Sequence, residues 1–200
     1  GVQTCALPIS LAMRTKDSLK QNQCQALLHL AAQLTSLQLI LDSPPQDQGF
    51  LGRILACSSK LKRLKTSGVI VMPEDIVHCQ RLSEIKIKAP AQSKQTWSKD
   101  FVSTLSQLPE LRSLTLDLKE RFIENQFAEN RMGETLTKLV IHRMTDVSVT
   151  HVIHNLHQLK DWRLLEDGYS LSPFVDMDPE ALQFLRNLCI PGVRPCGYRC

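Results

Sequence analysis

The feature that most constrains this chain is an apolar spacing, Leu-x-x-Leu-x-Leu, that returns along most of its length. It reads Leu34, Leu37, Leu39; Leu61, Leu64, Thr66; Leu82, Ile85, Ile87; Leu111, Leu114, Leu116; Leu136, Leu139, Ile141; Leu159, Trp162, Leu164; and Leu185, Leu188, Ile190. Successive first positions lie 27, 21, 29, 25, 23 and 26 residues apart. A single match means little, but 7 in order at such intervals define a repeated unit of about 20–29 residues.

The physical content of the spacing is a short strand. Alternate residues of a strand point to opposite faces, so the second and third apolar positions point inward and the residues flanking them point to solvent. A helix or irregular turn then returns the chain to the start of the next strand. One unit cannot bury its own apolar face, so neighbours must stack. Aromatic residues are only 5% of the chain, so this core must be built from Leu, Ile and Val.

The intervening segments carry helix signals. Gln23 to Gln33 places Leu27, Leu28, Leu30 and Ala31 at helical spacing, and Phe50, Leu51, Ile54 and Leu55 do the same. Pro73-Glu74-Asp75 is a helix start, with Pro at the first position and acids in the first turn. Ser98 is placed to cap Lys99 to Gln107, and Asp146 to cap a helix carrying Val149, Val152, Ile153 and Leu156. Ser43 to Gln48 and Ala89 to Lys94 read as loops between units. The expected fold class is therefore α/β: a leucine-rich repeat solenoid, or horseshoe, with a parallel concave sheet and convex helices.

The repeats resemble the cysteine-containing leucine-rich repeats of the F-box/leucine-rich-repeat proteins. Cys57 and Cys79 stand at the ends of expected helices, four and three residues before a motif Leu. Thr145-Asp146 followed by Val149 and Val152 looks like that family's Ile-Thr-Asp-x-x-Leu-x-x-Leu turn and helix. The likeness spans residues 20–190 as a repeat class and is specific around residues 134–165. The Asn or Cys that such repeats place about three positions after the last motif residue is here Asp42, Val69, Pro90, Lys119, Met144 and Asp167, so no side-chain ladder can run along that edge. The resemblance implies the substrate-recognition repeats of a Skp–cullin–F-box ubiquitin ligase, the Skp adaptor docking through an F-box upstream. The alternative is a repeat scaffold or innate-sensor fragment unrelated to ubiquitin.

The two ends are expected to differ from the array. Residues 1–9, from Gly1 to Ile9, resemble the translation of a common sequencing-adapter oligonucleotide and are expected to be non-structural. The repeat array is then residues 10–190, followed by an irregular tail at 191–200 that holds Cys196 and Cys200. The 7 cysteines lack CxxC pairing and there is no Asn-x-Ser/Thr sequon, which suits a cytoplasmic or nuclear setting. Cys24, Cys57 and Cys79 are expected in or near the core, whereas the strand position of Cys189 is expected to point to the concave face. No apolar run reaches the roughly 20 residues that span a bilayer, so no membrane partner is expected.

Catalytic and metal chemistry find no support in the pattern. Gly-x-Ser-x-Gly, P-loop and His-Glu-x-x-His motifs are all missing. His151, His154 and His157 lie three apart on an expected helix, and this reads as a polar stripe between apolar positions rather than a ligand set. No cofactor, no metal and no enzymatic activity are expected. The useful residues are those flanking the inward positions: Ser36, Gln38, Ile40; Arg63, Lys65, Ser67; Glu84, Lys86, Lys88; Ser113, Thr115, Asp117; Lys138, Val140, His142; and Asp161, Arg163, Leu165. Six of these are basic and three acidic. Arg63, Lys65, Lys86, Lys88, Lys138, Val140, His142, Arg163 and Leu165 are the candidate partner-binding residues, and the expected partner is an acidic or phosphorylated protein segment. The chain's net charge of +4 is mild and gives no reason to expect nucleic acid.

Overall fold

The computed structural model describes residues 9–43, 45, 47, 49–88, 99–122, 132–144, 158 and 160–165. Strands and helices alternate along the chain: β1 (Ile9–Thr15), α1 (Gln21–Leu30) continued by a 3-10 turn (Ala31–Gln33), β2 (Leu34–Leu41), α2 (Phe50–Ala56), β3 (Arg63–Ser67), α3 (Pro73–Ile76), β4 (Glu84–Lys88), α4 (Lys99–Ser106), β5 (Ser113–Phe122), α5 (Met132–Thr135), β6 (Lys138–Met144) and β7 (Asp161–Leu165). The strands form one 7-stranded sheet in chain order, and every pairing is parallel. Parallel neighbours need a crossover of a dozen or more residues, and the motif intervals supply it. The protein is thus α/β with a single parallel sheet, an arrangement compatible with a solenoid.

The motif residues stand in register. Leu37, Leu64, Ile85, Leu114, Leu139 and Trp162 pair across β2 to β7, and Leu39, Thr66, Ile87, Leu116, Ile141 and Leu164 form the next register row, whose members from Leu39 to Leu116 are buried. From Leu37 to Leu139 the first row is almost fully buried. It shares one core with Leu27 of α1, Phe50, Leu51, Ile54 and Leu55 of α2, Ile76 of α3, and Phe101 and Leu105 of α4. Successive helices touch, α1 to α2, α2 to α3 and α3 to α4, so together they close one face of the sheet. The Trp162 side chain, expected to point inward, lies outside the described residues. So do the seventh motif, the 146–157 helix, the Ala89–Lys94 loop, Ser98, Cys189 and the tail.

The sheet begins earlier than the motif count suggests. β1 pairs with β2, putting Leu11 beside Leu37 and Met13 beside Leu39. Ile9, the last residue of the adapter-like run, is the first residue of this strand, and its carbonyl accepts a bond of 3.2 Å from Thr35 Oγ1.

Two repeated backbone devices lock the units together. In the first, the amide of each motif's second residue donates to the carbonyl of the second residue one motif earlier. These bonds run Lys62 to Thr35 (2.9 Å), Ser83 to Lys62 (2.8 Å), Arg112 to Ser83 (3.0 Å), Thr137 to Arg112 (2.9 Å) and Lys160 to Thr137 (2.8 Å). Hydroxyls at that position reinforce the ladder, Ser83 Oγ donating to Lys62 O and Thr137 Oγ1 to Arg112 O, each at 3.1 Å. A ladder with side-chain members therefore exists, but at the opposite end of the strand from the position where Asn or Cys would build one.

The second device is the turn into each strand. The amides of Leu34, Leu61, Leu82 and Leu111 donate to the carbonyls of Ala31, Ser58, Cys79 and Leu108, and all four acceptor residues are buried. The counterpart of Cys79 is therefore Ser58, whose hydroxyl donates to Ile54 O at 2.6 Å. Cys57, expected in the core, is exposed, because the residue four before the motif Leu faces outward. Cys79 donates its thiol to Leu55 O at 3.3 Å, and burial pushes its pKa up to about 12. The thiolate is the reactive species. Native-state alkylation followed by peptide mapping should therefore modify Cys57, and should reach Cys24 and Cys79 only after unfolding. Labelling of Cys79 at the Cys57 rate would contradict this packing.

Thr66 replaces a motif Leu and is 1% exposed, and its hydroxyl finds no hydrogen-bond partner among the described residues. An unsatisfied buried hydroxyl costs about 1–3 kcal/mol, so the near-isosteric Thr66→Val should stabilise the fold by about 1–2 kcal/mol in urea unfolding. A loss of stability would mean that the hydroxyl is satisfied in solution.

Candidate partner-binding face

The face opposite the helices is organised by the same register. Its first row is Ser10, Ser36, Arg63, Glu84, Ser113, Lys138 and Asp161; its second is Ala12, Gln38, Lys65, Lys86, Thr115, Val140 and Arg163; its third is Arg14, Ile40, Ser67, Lys88, Asp117, His142 and Leu165. Every residue expected to flank an inward position takes its place in these rows. The β3 and β4 members are half-buried or exposed while their inward neighbours are buried, which is the alternation of a sheet covered on one side only. His142, Arg163 and Leu165 hold their register positions, and their side chains lie outside the described residues.

The structure sets three of the candidate residues, Val140, Lys88 and Lys138, apart from a free binding cluster. Val140 is only 6% exposed, since a short side chain with β5 on one side and β7 on the other is shielded by the strands themselves. Lys88 does not belong to a free cationic cluster, because its Nζ lies 3.1 Å from Asp117 Oδ2, its register partner on β5. Lys138 pairs with Asp161 across β6 and β7 in the same way, again at 3.1 Å. Each pair is partly solvated and contributes at most about 1 kcal/mol. Their consequence is electrostatic, for each pair neutralises one cation among the described side chains of the face.

Lys65 and Lys86 remain as direct register partners on β3 and β4, with no ion pair among the described residues. Two unit charges about 6 Å apart in water repel by about 0.7 kcal/mol. Like charges directly opposite on paired strands weaken the pairing. Arg63 sits one row away, opposite Glu84. Arg14, missed by the motif pattern because β1 has no leading Leu, adds an exposed cation on the first strand. The signal that would have paired Lys88 with Asp117 and Lys138 with Asp161 is sequence position. Each couple follows or precedes its motif Leu by the same step in successive units.

The described residues hold no cluster of three or more His, Cys, Asp or Glu suited to a metal. No helix among them is long and apolar enough to cross a membrane. Compared with known proteins, the sequence matches no protein-family model. No curated protein matches it either.

Proposed function

We propose that this chain is a leucine-rich repeat solenoid that recognises another protein through the exposed, concave face of its sheet. The observation that carries the reading is the one-sidedness of the sheet: helices close one face, and the other presents ordered rows of polar and charged side chains. A rigid sheet held by a continuous hydrogen-bond ladder suits recognition, because its side chains lose little freedom on binding. The finer proposal is that the repeats hold a substrate for a Skp–cullin–F-box ubiquitin ligase, and here the support is the family resemblance around Cys79 and the 134–165 segment.

The test is site-specific photo-crosslinking in cells. A photoreactive residue at Gln38 or Thr115, on the open face, should give discrete protein adducts, whereas one at Gln25 on α1 should not. Under the ligase reading, the adducted protein should accumulate when cullin ligases are inhibited. Adducts from α1 alone would overturn the face as the binding surface. Face adducts whose abundance ignores cullin inhibition would leave the face and remove the ligase.

A further inference from the structure

We infer that the β3–β4 part of this face is the seat of an anionic peptide segment, with Lys65 and Lys86 as its two central contacts and Arg63 alongside. The inference deepens the reading that the face meets a protein and depends on it. Set aside the two ion pairs, and the charges left on the described side chains of this face are Arg14, Arg63, Lys65, Lys86 and Glu84. All of them lie on β1 to β4, so among the described side chains the uncompensated positive charge of this face stands on the first strands. The row that holds Lys65 and Lys86 contains no acid, and its other described members are Ala12, Gln38, Thr115 and Val140.

The geometry suits one chemistry. Neighbouring strands lie about 4.8 Å apart, so two in-register ammonium groups can donate to the same carboxylate or phosphoryl group. The repulsion between them is relieved only when an anion sits there. Toward β2 the face turns uncharged, with Ser36, Gln38 and the half-buried Ile40, so polar or apolar residues should flank the acids of the segment on that side. Single-stranded nucleic acid is the poorer fit. None of the described side chains on this face is Phe, Tyr or Trp, and such ligands are held by stacking on aromatic rings.

Fluorescence anisotropy on the whole chain tests this with four labelled probes: a Glu-rich peptide, the same peptide with Gln at every Glu, a version with phosphoserine, and oligo-dT. The Glu peptide should bind and weaken with salt, and the Gln peptide should not bind. The phosphoserine arm tells whether phosphoryl or carboxylate is preferred. Lys86→Glu should weaken binding roughly tenfold or more, since a charged hydrogen-bond partner is replaced by a repelling group. That variant also sets a carboxylate opposite Lys65, so its unfolding midpoint should stay level or rise. Loss of binding without loss of stability separates a site from a structural role. Lys138→Gln, which removes a cation already paired with Asp161, should leave binding within about twofold, because the paired charge adds little local potential. Equal binding of the Gln peptide, tighter binding of oligo-dT, an unaffected Lys86→Glu variant or an equal loss in Lys138→Gln would each overturn the inference. Face crosslinks in cells would survive that failure, so the two proposals fail separately.

Discussion

Leu114→Ala should lower the stability of the fold by about 2–5 kcal/mol, the usual cost of truncating a buried Leu. The side chain is fully buried in the inward row, with Ile85 on one register side and Leu139 on the other. Both neighbours are themselves fully buried. Their strands are pinned by the ladder at Arg112 and Thr137, so the walls of the cavity cannot collapse into it. The upper part of the range is therefore expected, and Leu139→Ala should behave alike. Urea unfolding followed by circular dichroism reads the difference directly. A cost under about 1 kcal/mol would mean that the helices do not pack on this face.

Gly68→Ala should be comparably damaging, although Gly68 contributes no side chain. The residue follows β3 directly, with φ at +76°, a conformation that an L side chain adopts at a cost of about 1–2 kcal/mol. A methyl group there would fall on the backbone carbonyl of Leu41, the last residue of β2. Backbone cannot swing aside as a flexible side chain can, so β2 and β3 would have to separate locally. The Gly68 amide also donates to Lys88 O at 3.2 Å, which ties the same turn to β4. A loss of more than about 2 kcal/mol is expected when strain and displacement combine. Unchanged stability would show that the turn relaxes freely and that the strand ends are not held together there.

Much of this architecture is legible in the sequence because the inward row is written in one residue type at one spacing. Leu37, Leu64, Ile85, Leu114 and Leu139 are aligned by the motif alone, and the structure places them in register. The flanking residues follow at no extra cost, since a strand alternates. β1 was harder to read: the position that should hold its leading Leu is Pro8, and its third inward residue is Met13. The run up to Ile9 also reads as foreign to the fold. Cys57 misled because helix ends vary by a residue, so a cysteine one position off faces water instead of the core. Which of the described cations on the face stand unpaired depends on contacts between strands, Lys88 to Asp117 and Lys138 to Asp161, and a net count over the whole face conceals it. The hydroxyl ladder at Ser83 and Thr137 carries no sequence signal, because Ser and Thr before a strand look like ordinary surface residues.

The one-sided sheet is the fact on which both proposals stand, and cysteine-scanning accessibility along β4 and β5 measures it most directly. Single cysteines at positions 84, 85, 86, 87 and 88, and at 113 to 116, would be alkylated in the native state and followed by peptide mapping. Rates should alternate, fast at Glu84, Lys86, Lys88, Ser113 and Thr115, and slow at Ile85, Ile87, Leu114 and Leu116. Equal rates at neighbouring positions, or protection of the Lys86 and Thr115 positions in the isolated protein, would show both faces alike and contradict an open recognition surface.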